Sequence, residues 1–339
     1  MVNPTQSPSA LENAVNALIS LRDRLQEMYG TRHRFNRTSA SQADAAYEKV
    51  KTSGKIDATD FVVMLFANSQ HVRQFQASVF VTSAVIRRQI DAIEDSHRRG
   101  DLTSLLGQLR FLIERFGHLH FLSKNIAKTL SVPDKGASHP FISSLDIDKD
   151  IKNALYGTTL KWNDIAQKAL VEIDLKNDLG RNLKDELGSY FAMQVLNKID
   201  RLNKSCPGTR AAYEILCDFL HPNVGDLFAS TTSYSEFNDR FGVQHIVRQI
   251  ALDERADQGY TADRVVLDKI YAHFISLVSL CVDDFVACET IDRLLSEHLT
   301  SYNREILKKN RKLFQKSDLC PCSSGDLIFR CCGRRIASN

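Results

Sequence analysis

The stretch that decides the fold class is ADRVVLDKIYAHFISLVSLCVDDFVACETIDRLLSEHLTSYNREILKKNRK, residues 262–312. Val265, Ile270, Phe274, Leu277, Val278, Cys281, Phe285, Cys288, Ile291, Leu294 and Leu295 recur at three- and four-residue steps. That is the period of a helix with one apolar face, not the two-residue alternation of a strand. After Leu295 the apolar face fades, and Lys308-Lys309-Asn310-Arg311-Lys312 is polar throughout. This end is expected to be an exposed helical stalk.

The same period recurs upstream. Leu11, Val15, Leu18, Ile19, Leu21, Leu25 and Met28 predict an amphipathic helix over 8–29. Thr59 and Asp60 offer caps for a helix from Phe61 to the region of His71, and Phe75, Val79, Val81, Val85, Ile86, Ile90 and Ile93 predict another over 71–97. Gly100-Asp101 breaks that pattern, and Asp101 is placed to cap a helix from Leu102 to Leu130. Further helices are expected near 160–174, 181–203 and 208–221, the last stopped by Pro222. Residues 223–243 read as irregular, and a helix is expected near 244–257. Fifteen Gly and seven Pro are few for the length, and no strand-like run extends beyond short pieces such as Phe61–Leu65. The fold class is therefore all-α, a multi-helix bundle of roughly eight to ten helices. Val132-Pro133-Asp134-Lys135-Gly136 and Ser138-His139-Pro140 interrupt it over 131–146. This divides the body into two lobes, 1–130 and 145–312, followed by a small module at 318–335.

Charge is unevenly placed. The net charge is +3 over 339 residues. Residues 301–339 carry nine Lys/Arg against three Asp/Glu, so this end is basic and the rest is slightly acidic. A basic end suits RNA, a ribosome or an acidic protein face, and it also offsets nearby anionic ligands. No stretch approaches eighteen uncharged apolar residues, so no membrane partner is expected. Residues 1–20 include Asn3, Gln6, Glu12 and Asn13 and lack the apolar core of a secretion signal. The expected location is the cytoplasm, where thiols stay reduced.

The strongest chemical signal follows the stalk: Cys320-Pro321-Cys322-Ser323-Ser324-Gly325, then Cys331-Cys332-Gly333. Two pairs of cysteines separated by eight residues give four soft ligands on a short return loop. Tetrahedral zinc takes this number and type in a closed structural site. The expected ligands are Cys320, Cys322, Cys331 and Cys332, with Zn2+ as the metal and iron as the alternative. Disulfides are the competing explanation, disfavoured in a reducing compartment and by the strain of pairing adjacent cysteines. Pro321 restricts the first pair, and Gly325 and Gly333 offer turn positions. Arg330, Arg334, Arg335, Lys308, Lys309, Arg311, Lys312 and Lys316 are placed to offset the thiolate charge. Cys206, Cys217, Cys281 and Cys288 stand alone in helical patterns and are expected to be buried structural thiols.

Cys320, Pro321, Cys322, Ser324, Gly325, Cys331, Cys332 and Gly333 resemble the SEC-C motif found at the end of the preprotein-translocase motor ATPase. In place of the basic or aromatic run common in that family stands Asp326-Leu327-Ile328-Phe329-Arg330. The resemblance implies zinc binding and docking on a partner such as a secretion chaperone. It covers residues 318–335 only.

In the body, Arg115 and His120 match an R-x₄₋₆-H spacing that resembles the HEPN superfamily. That resemblance implies an all-α, metal-independent ribonuclease of toxin or phage-defence type acting as a homodimer, with Arg115 on a phosphate and His120 moving a proton. Phe116 stands where HEPN proteins commonly have a polar residue, and Arg240/His245 and Arg293/His298 match the same loose spacing. Arg110, Glu114 and His221 are candidates to line a polar pocket, with helix capping by His221 as the plainer account. His118 and His120, two apart on a helix, do not face each other and make a poor chelate. The expected function is an adaptor whose zinc module docks a protein, ribosome or nucleic-acid partner. The alternative is a HEPN-like ribonuclease targeted by that module.

Overall fold

The computed structural model describes residues 9–30, 57–126, 195–220, 231–238, 244–250, 261–310 and, with single gaps, 312–332, plus isolated positions between 45 and 53 and at 240 and 242. Among these the chain is all-α apart from one short hairpin. The elements are α1 (Ala10–Tyr29), α2 (Ala58–Arg99), α3 (Leu102–Phe121), α4 (Val195–Ser205), α5 (Thr209–Leu220), β1 (Thr231–Asn238), β2 (Gln244–Ile250) and α6 (Thr261–Lys309). A π-helical turn, Leu122–Ile126, follows α3, and a 3-10 turn, Ile328–Arg330, lies in the cysteine-rich end. The interruption at 131–146, the helix expected near 160–174 and all but the end of the one at 181–203 fall outside the described residues.

The described chain forms two compact units, divided at 80/81 in α2, at 121/122 and at 285/286 in α6. The first holds α1, α2 from Val81, α3, α4, α5, the hairpin and α6 up to Phe285. Helix α1 starts with a reciprocal cap: Glu12 N donates to Ser9 Oγ at 3.2 Å, and Ser9 N donates to Glu12 Oε2 at 2.7 Å. Two otherwise orphaned donors are satisfied. Its buried face is Ala14, Val15, Leu18, Leu21 and Leu25. Gly100, at φ 72, ends α2 in a conformation few other residues adopt. Asp101 then caps α3, accepting from Ser104 N at 2.9 Å and Ser104 Oγ at 2.6 Å. These bonds hold the Asp101 carboxyl below its usual range.

Helix α3 is the centre of this unit. Leu105, Leu106, Leu109, Leu112, Ile113, Phe116 and Leu119 are each at most 2% exposed. They spread over more than one face, as a helix packed on several sides requires. Helices α4 and α5 pack on α3 and on each other. At Gly117 an added Cβ would lie 3.4 Å from the Lys198 backbone, so the glycine lets α3 and α4 approach closely. The α4–α5 turn runs Cys206-Pro207-Gly208, with Gly208 at φ 101. Asn203 Oδ1 accepts from Gly208 N at 3.0 Å and Arg210 N at 3.1 Å, tying the turn down.

Two expectations are corrected in this unit. Residues 244–250 form a strand, not the start of a helix, and 231–238 pair with it antiparallel from Asn238↔Gln244 to Thr231↔Ile250. Ile246, Val247 and Ile250 are β-branched and suit a pleat, but they become a strand through their partner, which periodicity along one segment does not report.

The second unit holds α2 up to Phe80, the π-helical turn, α6 from Val286 and the cysteine-rich end. The separate helices expected at Phe61–His71 and 71–97 are one 42-residue helix, and the strand-like run Phe61–Leu65 lies inside it. Its first turn is capped by Asp57, which accepts from Asp60 N at 2.8 Å, one turn earlier than expected. In this unit Leu65, Val72, Phe75, Ala77 and Val79 are buried. Gln76 Nε2 donates to Ser296 Oγ at 2.9 Å and also to Asp292, fastening α2 to α6 within the unit.

The stalk is likewise corrected. Lys308 and Lys309 are exposed, but Leu307 is 4% exposed and Asn303 is buried, so the end of α6 has a packed face. The span Val265–Leu294 is also long and apolar enough, by length and composition, to cross a membrane. Asp283 and Asp284 lie in its middle, and Phe274, Leu277, Cys281 and Phe285 are buried within the first unit.

Candidate metal centre

Four cysteines are brought together by a return loop that begins where α6 ends. Leu313 N donates to Asn310 O at 2.9 Å and Asp318 N to Gln315 O at 3.1 Å, turning the chain twice. Leu319 and Leu327 then pair in an antiparallel bridge. Cys320 N donates to Asp326 O at 2.7 Å, and Ile328 N to Asp318 O at 2.9 Å. The 3-10 turn delivers the second pair, with Cys331 N donating to Ile328 O at 3.1 Å. Gly325 and Gly333 lie outside the described residues.

The outcome is a cluster whose four Sγ atoms all lie within 4.8 Å of one another. Cys322 Sγ is 3.3 Å from Cys331 Sγ, which is 3.9 Å from Cys332 Sγ. A tetrahedral zinc with its usual metal–sulfur bonds holds sulfurs about 3.8 Å apart. A disulfide needs about 2.05 Å, and all four cysteines are free thiols. Cys320, Cys322 and Cys332 are almost fully buried and Cys331 partly so. The arrangement fits a metal ion with four protein ligands and no open position.

Proton placement leads to the same fit. Cys322 is held far below the ordinary thiol range, first by the Cys320 thiol and then by those of Cys331 and Cys332. Cys320 is pushed far up, first by its bond to Cys322. Among the four crowded sulfurs Cys331 is also lowered, to about 7, first by Cys320, so ionisation is favoured at Cys322 and Cys331 and penalised at Cys320 and Cys332 beside them. A divalent cation at the centre removes that penalty and displaces the protons.

The surroundings of the sulfurs come from far along the chain. Arg73, on α2, donates from Nε to Cys322 O at 2.9 Å and from Nη2 to Cys322 Sγ at 3.6 Å. Its Nη1 donates to Gln76 Oε1 at 2.7 Å, so the guanidinium is oriented by a residue that also grips α6. Ser324 Oγ lies 3.4 Å from Cys331 Sγ. Val72, Leu307, Ile328 and Phe314 form an apolar seat around the cysteines. Sequence reasoning missed Arg73 because it is 249 residues from Cys322 and sits in an ordinary helical pattern. Among the local cations expected to compensate the thiolates, Arg330 instead stacks on Phe329, 5.0 Å from the ring centre, and Lys308, Lys309, Lys312 and Lys316 are exposed. Arg311, Arg334 and Arg335 lie outside the described residues.

The structure does not bring Arg115 and His120 to one site. Five residues along a helix turns their side chains about 140° apart. Arg115 is exposed, whereas His120 is 4% exposed and bonded to Asp284 and Ser205. His118 faces Lys198 instead, Nδ1 to Nζ 3.1 Å. Burial first, then Lys198 and Arg115, push its pKa down to about 3.

Arg110 and Glu114 do share a polar cluster: Tyr213 OH donates to Glu114 Oε1 at 2.9 Å, and Arg110 reaches Tyr213 OH at 3.3 Å and Cys217 Sγ at 3.1 Å. His221 lies outside the described residues. Cys206, Cys281 and Cys288 are buried as expected, while Cys217 is partly exposed and held by Arg110.

Comparison with known proteins finds no match, whether with a protein family, a curated protein or a solved structure. The case for the metal centre therefore rests on the four thiols themselves, and no family match supports the SEC-C or HEPN resemblance.

Proposed function

We propose that this protein is a cytoplasmic helical adaptor that holds one zinc ion at Cys320, Cys322, Cys331 and Cys332 and uses the resulting knuckle to dock a partner. The observation that carries the reading is the gathering of four thiols within 4.8 Å, three of them almost fully buried. A closed four-sulfur site leaves no position for a substrate, so its role is structural. The SEC-C resemblance adds the docking role. Lys308, Lys309, Lys312, Lys316 and Arg330 are exposed around the knuckle and favour an anionic partner, either ribosomal RNA or an acidic chaperone face.

Metal analysis of the purified chain under reducing conditions tests the site, and one zinc per chain is expected. Cys331→Ser should release the metal and weaken binding to an RNA or acidic-protein probe, while the far-ultraviolet helical signal is largely kept. Full zinc retention by Cys331→Ser, or a metal-free wild type, would exclude the ligand set.

A further inference from the structure

We propose that Ser205, His120 and Asp284 form a nucleophilic triad for acyl transfer, built from none of the metal-site cysteines. Three helices of the first unit bring the groups together. His120 Nδ1, on α3, lies 2.8 Å from Asp284 Oδ2 on α6, and His120 Nε2 lies 3.0 Å from Ser205 Oγ at the end of α4. These are nucleophile–base and base–orienter distances, in the order such chemistry uses. Burial is graded along the relay: Asp284 is 1% exposed, His120 is 4% exposed, and Ser205 is open to solvent.

The hydrogen count sets the direction. The proposed relay uses the tautomer with its proton on Nδ1, donated to the Asp284 carboxylate 2.8 Å away. Nε2 then presents a lone pair to the Ser205 hydroxyl. A neighbouring arrangement shows the contrast. Thr209 donates its hydroxyl to Cys206 O at 2.6 Å, so His273 Nε2, 3.0 Å from Thr209 Oγ1, must be the donor in that pair. It cannot also accept from Cys206 Sγ, 3.9 Å away. The same turn thus gives Ser205 a base and denies one to Thr209 and Cys206.

A cation borders the site. Arg201 is one helical turn before Ser205 on the same face of α4 and is exposed. Its guanidinium lies 5.3 Å from the ring centre of Phe121, the residue after His120. It is placed to favour negative charge developing beside Ser205.

The substrate class is a carboxylic ester able to reach an exposed helix end. Ser205 Oγ attacks the acyl carbon, its proton passes to His120 Nε2, and the carbonyl electron pair moves to oxygen. The tetrahedral species collapses, and the leaving alcohol takes the proton from His120. Water then attacks the acyl-Ser205 ester, gives one proton to His120, and the acid departs as that proton returns to Ser205 Oγ. Water is the only co-reactant.

The test uses the full chain, a fluorophosphonate serine probe and 4-nitrophenyl acetate. Mass spectrometry should place the probe on Ser205, and Ser205→Ala, an exposed change, should lose both labelling and ester turnover. Asp284→Asn should slow labelling by about ten-thousand-fold, as in enzymes that orient the base this way. Because Asp284 is buried, its folding is checked by circular dichroism, and Arg201→Ala, on the surface, provides a second variant with slower labelling expected. A folded wild type unlabelled at Ser205, or labelling unchanged in folded Asp284→Asn or in Arg201→Ala, would overturn the proposal.

Discussion

The cysteine knuckle and the first helical unit are held together by opposite means. In the knuckle, four ligands lie within thirteen residues, Cys320 to Cys332, and a few backbone bonds bring them together. Its own apolar residues are few, so on the reading proposed above a bound ion would supply the main cohesion. In the first unit, cohesion comes from side chains such as Phe116, Phe274 and Phe285, each buried almost completely and drawn from helices distant in sequence. A chelate can be encoded by spacing alone, whereas a packed core is encoded only by which faces meet.

Three experiments sharpen that comparison. The largest effect should come from removing the metal. Structural zinc contributes about 10 kcal/mol or more to small cysteine-bound modules. Chelation should therefore make the cysteines reactive toward a thiol reagent at a rate limited by the chelator, while amides of α3 stay protected from exchange. Loss of α3 protection on chelation would break the distinction.

Next in size is Phe116→Ala. The side chain is 1% exposed at the centre of α3, and its truncation should destabilise by about 3–5 kcal/mol in denaturant unfolding. Zinc stoichiometry measured in native conditions should be unchanged. A cost below about 1 kcal/mol would show that α3 is not the packing centre.

The smallest effect is the most diagnostic. Arg73→Ala removes the guanidinium from Cys322 O and Cys322 Sγ. Outer-sphere partners of this kind typically change metal affinity by about 10- to 100-fold. A competition titration with a chromogenic chelator should show that loss, and Arg73→Lys should recover only part of it because an ammonium lacks the planar fork. An unchanged affinity would mean that the seat on α2 has no bearing on the ion.

Helix starts were readable where the signal was local. Gly100 with Asp101 is a break and a cap written in adjacent residues, and the structure uses it; the Ser9–Glu12 cap of α1 is as local but was recognised only in the structure. The ligand set was readable for the same reason. Residues 244–250 were misread because a strand depends on its partner, here 231–238. The segments 61–71 and 71–97 were read apart although no Gly or Pro separates them, and the structure makes them one helix.

Composition and spacing on their own determined that this is an α-helical chain with four cysteines grouped for a metal, because helical period and chelate spacing are short-range properties. Tertiary structure alone decided that Arg73 rests on Cys322, that Arg115 and His120 point apart, and that His120 stands between Asp284 and Ser205. Those relations join residues up to 249 positions apart. Each depends on how helices rotate and pack, and no single stretch of chain carries that information.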